Sequence, residues 1–200
     1  IKAEYDRDGE SAQRQIGKVQ ELACGFAGGV GAFASMARIY SVRLSEADSK
    51  RMVDAWRRNN QWAVNFWSQL EQQYTRAMRN RGQEFTAGRI TYLFDGLHLW
   101  YSLPSGRVLC YPFARLEEDG ISYAKAAWKP AQDAKEWPRA RLWRGLACEN
   151  VTQAVANDLL RYALRQLDDV VLHVHDEIVV EGGSEDEVRG VMTTPPAWAT

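Results

Sequence analysis

The chain of 200 residues has the composition of a globular protein, with 46% hydrophobic and 26% charged residues, which is enough apolar material to bury a core. Its formal net charge of −1 excludes a uniformly basic surface, so binding to nucleic acid would need a local positive patch. No apolar run approaches the roughly 18 residues of a membrane-spanning helix, and we expect a cytoplasmic protein without a membrane partner.

Residues 11–26 predict a helix with Ser11 as its candidate N-cap, and residues 32–40 predict a second helix. Four glycines cluster where the first of these helices ends and before the second begins, at positions 25, 28, 29 and 31, and such a cluster should end or loosen a helix. Because the cluster matches neither glycine-rich phosphate-binding pattern, we expect a hinge there rather than a phosphate-binding loop.

One long helix is predicted from Ser45 to about residue 80, ending before Gly82. Ser45 and Asp48 have the spacing of a capping box, and apolar residues at helical spacing follow. That stripe consists of Met52, Val53, Trp56, Val64, Trp67, Leu70 and Met78.

Short strands are predicted between residues 89 and 127, because β-branched and aromatic runs alternate there with turn residues. Residues 103–106 have good hairpin-turn chemistry. The predicted strands are Ile90–Phe94, Leu97–Ser102, Val108–Tyr111 and Ile121–Ala127.

The last third of the chain predicts four segments. Residues 129–140 are polar with two prolines and predict a loop, and residues 141–167 predict a helix. Residues 170–181 predict two strands around an Asp-Glu pair. Residues 192–200 contain two prolines and indicate no regular element.

Cysteine spacing indicates neither a zinc site nor a disulfide framework, because Cys24, Cys110 and Cys148 are far apart in the sequence. Reduced thiols in the cytosol fit this pattern best.

Arg14, Lys18, Leu22 and Phe26 follow one another at intervals of four residues, so on a helix they form one stripe of about 18 Å, here called the 14–26 stripe. The two cations lie in the N-terminal half, where the helix dipole also favours anions. The stripe therefore has the length and polarity to lie along a nucleoside triphosphate. An ordinary amphipathic helix with two exposed cations and two core residues is the alternative.

His175, Asp176 and Glu177 lie between two apolar runs. Acids between buried strands need a partner, and carboxylate oxygens suit Mg²⁺. An exposed hairpin turn is the alternative, since aspartate is common in turns. No further residues supply ligands for a zinc site.

Three segments resemble motifs of one family. Residues 174–181 (Val-His-Asp-Glu-Ile-Val-Val-Glu) resemble the final catalytic motif of family A (DNA polymerase I-like) DNA polymerases, and the 14–26 stripe resembles their fingers-helix motif. Residues 149–158 resemble the segment between these motifs, in the form typical of phage and prophage members. Because the order is also right, the chain resembles a C-terminal fingers and palm fragment of such an enzyme.

This resemblance implies an α+β fold that is mainly helical, with fingers helices and part of a palm antiparallel sheet that carries a catalytic β-hairpin. Residues 1–80 would be a fingers-like helical region whose helix 11–26 binds nucleotide. Residues 81–200 would be a fingers and palm region, with a DNA-contacting helix at 141–167 and the catalytic hairpin at 170–181.

The resemblance also implies roles for acidic and basic residues. Asp176 would be a catalytic ligand of two Mg²⁺ ions in the intact enzyme, and Glu177 would be a second, supporting carboxylate beside the metals. Arg14 and Lys18 would bind the triphosphate of the incoming dNTP, and Lys18 is also a candidate proton donor to pyrophosphate.

The remaining implied contacts involve the base, the sugar and the primer–template DNA. Leu22 and Phe26 would complete the dNTP-binding surface, with Phe26 stacked near the templating base. Gln153 and His175 would contact the DNA minor groove or the primer end, where the acceptors common to all base pairs lie.

The chain departs from the family pattern. Leu22 replaces an aromatic residue, Phe26 and Ala27 replace Tyr-Gly, and no Asp-Tyr-Ser motif with the first catalytic aspartate precedes Arg14. We therefore expect the palm motif with that aspartate and the thumb to be required partners, and the chain alone to be inactive. The alternatives are a non-catalytic prophage remnant that binds nucleotide or DNA weakly, and an unrelated metal-dependent hydrolase.

Overall fold

A computed structural model of the chain describes residues 11–125 and 137–200, and within these ranges the chain is an α+β protein, as predicted. The helices are α1 (Ala12–Cys24), α2 (Val30–Ile39), α3 (Glu46–Asn59), α4 (Gln61–Arg79), α5 (Arg144–Leu164) and α6 (Glu185–Thr193), followed by a 3₁₀ turn (Ala197–Ala199). None of the helices in the described ranges is long and apolar enough to cross a membrane.

The strands form three antiparallel sheets. They are β1 (Glu84–Ala87), β2 (Ile90–Phe94), β3 (Leu99–Ser102), β4 (Val108–Tyr111), β5 (Arg115–Glu117), β6 (Gly120–Ala124), β7 (Arg139–Leu142), β8 (Val170–Val174) and β9 (Glu177–Val180). The first sheet has the order β1-β2-β3-β4, the second β5-β6-β7, and the third contains only β8 and β9 among the described strands. The hairpin that carries Asp176 is therefore a separate two-stranded unit in the described part of the chain.

The long helix predicted from Ser45 is two helices, because the chain breaks at Asn60. Asn60 has φ −119° and ψ 47°, and both its backbone N–H and its Nδ2 donate to the carbonyl oxygen of Trp56 at 2.9 Å. The side chain thus competes with the helix for a backbone acceptor. The cap at Ser45 is as predicted, since its Oγ accepts from the N–H of Asp48 at 3.0 Å.

Three further predictions need correction. Residues 139–142 are strand β7, so the predicted loop is wrong at 139 and 140, and the predicted helix begins at Arg144 rather than at residue 141. The C-terminal segment 192–200 contains the end of α6 and a 3₁₀ turn. Residues 126–136, which include the rest of the predicted loop and the end of the predicted fourth strand, lie outside the described residues.

Helix α4 is the centre of the core. It packs against β1, β2, β3 and α5, and its Trp67 stacks on Trp56 of α3 with ring centroids 5.7 Å apart. Each large side chain buried this way stabilises the fold by about 1.5–3 kcal/mol. The core runs without interruption from α1 to α5, and the division into two regions at residue 80 stays a prediction. The wholly buried large side chains include Trp67, Tyr92, Phe33, Leu70 and Leu99.

Candidate functional site

Helix α1 is fixed against α3 by two side-chain hydrogen bonds. Gln20 Nε2 donates to the carbonyl oxygen of Met52 at 3.0 Å, and Trp56 Nε1 donates to Glu21 Oε1 at 2.9 Å. Ser11 caps the helix, as predicted, by accepting from the N–H of Arg14 at 3.2 Å. The buried face of α1 consists of Val19, Ala23 and Cys24.

Arg14, Lys18 and Leu22 of the 14–26 stripe lie on a different face of α1, which points mostly to solvent. The helix predicted to reach residue 26 ends at Cys24, so Phe26 lies in the segment that follows it. Arg14 and Lys18 are exposed, and Leu22 is 48% exposed. Phe26 is partly buried against the core. The alternative of an ordinary amphipathic helix, in which Leu22 and Phe26 are both core residues, is therefore wrong for Leu22. An exposed leucine in line with two cations leaves the stripe open to a ligand.

The glycine segment after α1 is closely packed. A Cβ on Gly28 would lie 2.0 Å from the carbonyl oxygen of Ala23, so a side chain cannot fit there. Ala27 has φ +61°, a conformation that glycine adopts more easily. Arg57 of α3 donates to the carbonyl oxygen of Gly28 at 3.1 Å, which holds the segment between α1 and α2 against α3. The expected hinge stays a prediction.

The thiols of all three cysteines are free. Burial raises the pKa of Cys24 to about 11, and burial also raises the pKa values of Cys110 and Cys148. These thiols are therefore protonated at neutral pH and are poor nucleophiles.

The hairpin tip is a turn of two residues, His175 and Asp176, between the paired residues Val174 and Glu177. His175 has φ +53°, the sign that tight hairpin turns require at this position. His175, Asp176 and Glu177 are all exposed, and so is most of β8. The expectation of acids between buried strands is therefore wrong here. Because water solvates these carboxylates, they carry no cost of burial that a bound metal would have to offset.

An open groove of about 630 Å³ lies between α5 and the hairpin tip, and it is called the α5 groove below. Gln153 of α5 and His175 and Asp176 of the hairpin all line it. Gln153 is exposed and donates from Nε2 to Glu149 Oε1 at 3.2 Å, an interaction that a ligand can replace. Three of the residues selected from sequence thus meet in one place. The other lining residues are Ala156, Asn157, Leu159, Leu160, Ala163 and Met192.

Helix α5 connects the α5 groove to the end of the 14–26 stripe. A Cβ on Gly145 would lie 2.2 Å from the backbone oxygen of Phe26, so the first turn of α5 touches the segment after α1. Gln153 follows eight residues later, which is about 12 Å along the helix. Arg14, Lys18 and Glu177 are not part of the lining of the α5 groove.

Two polar contacts fix the orientation of α5. Asn150 Nδ2 donates to the hydroxyl of Tyr111 at 3.0 Å. Asp158, which is 8% exposed, pairs with Arg107 across a distance of 2.7 Å between Oδ1 and Nε. Burial raises the pKa of Tyr111 above its usual range, so this hydroxyl stays protonated.

Asn157 and Met192 are among the residues of the α5 groove to which sequence reasoning gave no individual role. Asn157 lies four residues after Gln153, so helical spacing already placed both on one face. Met192 belongs to α6, for which no element was predicted. No group of three or more His, Cys, Asp or Glu residues suited to a metal occurs within the described residues.

Over 199 aligned residues the chain is 36% identical to a DNA polymerase of Bacillus phage SP02. The alignment covers 94% of this chain but only 30% of the phage protein, so the chain spans about a third of the length of that relative. No family model matches the chain, and no solved structure is similar to it at a significant level.

Proposed function

We propose that this chain is the nucleotide-binding and DNA-binding part of a family A DNA polymerase of phage type. The observation that carries the proposal is the meeting of Gln153, His175 and Asp176 in the α5 groove. These residues come from two of the three motifs selected in the sequence. The identity of 36% to a phage DNA polymerase supports the same assignment.

In the proposed reaction the 14–26 stripe binds the incoming dNTP. Arg14 and Lys18 contact the triphosphate, because charge-assisted hydrogen bonds to phosphate oxygens are short and strong. Lys18 also delivers a proton to the leaving pyrophosphate. Leu22 and Phe26 lie beside the sugar and base, with Phe26 stacked near the templating base.

In the α5 groove, Gln153 and His175 contact the minor-groove edge of the primer–template DNA. Both side chains are exposed, and a glutamine amide donor matches the acceptors that all base pairs present in the minor groove. The groove therefore senses base-pair geometry rather than sequence.

The carboxylates of Asp176 and Glu177 are of the type that Mg²⁺ prefers. They fit the metal in chemistry but are too few, since no cluster of three acids or histidines occurs within residues 11–125 and 137–200. When bound, Mg²⁺ would lower the pKa of the primer 3′-hydroxyl and stabilise the leaving pyrophosphate. In the family, Asp176 would hold it together with a first catalytic aspartate in an Asp-Tyr-Ser motif, and no such motif occurs in this sequence, so we expect no polymerisation by the 200-residue chain alone.

Binding measurements on the chain of 200 residues test the proposal. We expect dNTP to bind in the presence of Mg²⁺ and Lys18→Ala to weaken it about tenfold or more, because a hydrogen bond to a charged group contributes about 1.5–3 kcal/mol. Lys125→Ala is the matched control, since Lys125 is also exposed and lies outside the stripe. Equal effects of the two substitutions would contradict the role of the stripe.

A second assay concerns the α5 groove. Gln153→Ala should weaken primer–template binding, while Gln69→Ala, an exposed glutamine of α4, should not. Asp176→Ala should remove any effect of Mg²⁺ on that binding. Clear Mg²⁺-dependent primer extension by the pure chain would show that the expectation of inactivity is wrong.

A further inference from the structure

We propose that a second phosphate-binding site lies on the other side of α5, in a cavity of about 280 Å³ that is called the arginine cavity below. No role in the proposed polymerase reaction has been given to its residues. The ligand is a phosphate group, either of a free anion such as pyrophosphate or of a nucleic-acid backbone. The lining residues are Ser105, Arg107, Asp158, Arg161, Tyr162, Arg165 and Trp198.

Helical geometry separates the arginine cavity from the α5 groove. Residues 153, 156, 157 and 160, together with 159 and 163 at one side, line the groove, and residues 158, 161, 162 and 165 line the cavity. Residues 158, 161, 162 and 165 are each offset by five residues, or about 140° around the axis, from 153, 156, 157 and 160, so the two sets lie on different sides of the helix. A ligand in one therefore leaves the other accessible.

The charges in the arginine cavity are unbalanced. Its three arginines face a single carboxylate, that of Asp158, and this carboxylate is already used. It pairs with Arg107 and accepts from the hydroxyl of Ser105. Arg107 is also engaged, because its Nη2 donates to the carbonyl oxygen of Ala154 at 2.7 Å. The cavity thus keeps a positive charge that no lining side chain neutralises.

Arg161 and Arg165 carry that charge. They lie one turn apart on α5, both are exposed, and neither forms a salt bridge with any residue in 11–125 or 137–200. Two like charges at this spacing destabilise a helix slightly, so an anion bridging both would relieve the repulsion. Guanidinium groups match phosphate oxygens in pairs.

The aromatic rings of Tyr162 and Trp198 complete the wall. Apolar surface beside a charge lowers the local dielectric constant and strengthens an ion pair formed there. The same rings can contact a sugar or base that follows a bound phosphate. These features favour a phosphate ligand over a carboxylate on a flexible chain, which offers only two oxygens and no adjoining ring.

Titration calorimetry at low salt, with a chelator present, tests this site. The protein is the 200-residue chain carrying Arg14→Ala and Lys18→Ala, so that the 14–26 stripe does not contribute to anion binding. A negative result for the arginine cavity is then distinct from a failure of the proposed function. The probes are pyrophosphate and a single-stranded oligonucleotide without a terminal phosphate. In this background Arg161→Gln/Arg165→Gln should weaken pyrophosphate binding at least tenfold.

Two further variants give controls. Arg43→Gln/Arg89→Gln changes two exposed arginines elsewhere and removes the same charge, so affinity should stay within about twofold. Arg161→Lys/Arg165→Lys keeps the charge but loses the paired donors, so affinity should be intermediate.

The oligonucleotide identifies the source of the phosphate. The same pattern of loss with the oligonucleotide would assign the site to a nucleic-acid backbone, and a pattern confined to pyrophosphate would assign it to a free anion. Absence of pyrophosphate and oligonucleotide binding, or equal losses in the cavity variant and the control, would overturn the proposal. Unchanged circular dichroism of the variants shows that folding is intact.

Discussion

Replacing Gly145 with alanine should destabilise the protein, although alanine is normally the better helix former. Gly145 lies in the first turn of α5, and a Cβ there would be 2.2 Å from the backbone oxygen of Phe26 and from ring atoms of Trp143. The exposed ring can rotate away, but the backbone oxygen moves only if the segment after α1 and the start of α5 separate by about 1 Å, given normal contact distances near 3.5 Å.

The magnitude follows from two opposing effects. Overpacking of this kind costs about 1–3 kcal/mol, and the gain in helix propensity from glycine to alanine offsets about 0.5–1 kcal/mol. Gly145→Ala should therefore lower the free energy of unfolding by roughly 0.5–2 kcal/mol. Gly17→Ala in α1 should raise it by about 0.5–1 kcal/mol, because no atom lies within 4 Å of a Cβ at that position.

Urea denaturation followed by far-UV circular dichroism measures both variants. With a slope of about 2 kcal/mol/M, the midpoints of the two variants should differ by about 0.5–1.5 M. If Gly145→Ala raises the midpoint as Gly17→Ala does, then the contact between the 14–26 stripe and the start of α5 does not exist. The argument that α5 connects the two halves of the site would then be wrong.

Two further predictions concern side-chain carboxylates. Backbone N–H groups and the indole of Trp100 donate to Asp95 and hold its pKa at about 2, so the stabilising effect of this carboxylate is complete above pH 4 and is lost as the pH falls towards 2. The difference in melting temperature between the wild type and Asp95→Asn should therefore shrink as the pH falls over that range. A difference that stays constant would contradict this prediction. Asp158→Asn leaves Arg107 unpaired in a largely buried position and should lower the free energy of unfolding by about 1–3 kcal/mol. Asp54→Asn removes one partner of an exposed pair and should change the free energy of unfolding little. Similar urea midpoints for the two variants would refute the argument.

Local sequence patterns predicted much of the fold because several elements carry their own signals. Strands β2 and β4 have the predicted bounds, and α1 begins after its predicted cap. The break at Asn60 was missed because the apolar stripe continues across it, and Trp56 and Trp67 still meet face to face. Periodicity records which residues face the core and does not record where one helix axis ends.

Two elements, strand β5 and helix α6, were not predicted, and for reasons different from that at Asn60. Strand β5 is exposed at every residue, and such edge strands lack the apolar alternation that would reveal them. Helix α6 did carry a signal, since Ser184 and Glu187 have capping-box spacing and the Ser184 hydroxyl accepts from the N–H of Glu187. At the candidate site, sequence motifs selected Gln153, His175 and Asp176, but their meeting in one groove depends on long-range packing that no local pattern records.

The solvent exposure of strand β8 has a consequence for handling the protein in solution. Residues 170–174 are uncharged, rich in valine and leucine, and paired on one side only among the described strands, a combination that promotes edge-to-edge aggregation of copies. Acids flank the run on both sides, at 168–169 and 176–177, and flanking charges of this kind act as gatekeepers against stacking. The carboxylates proposed for metal binding would thus also keep the chain dispersed.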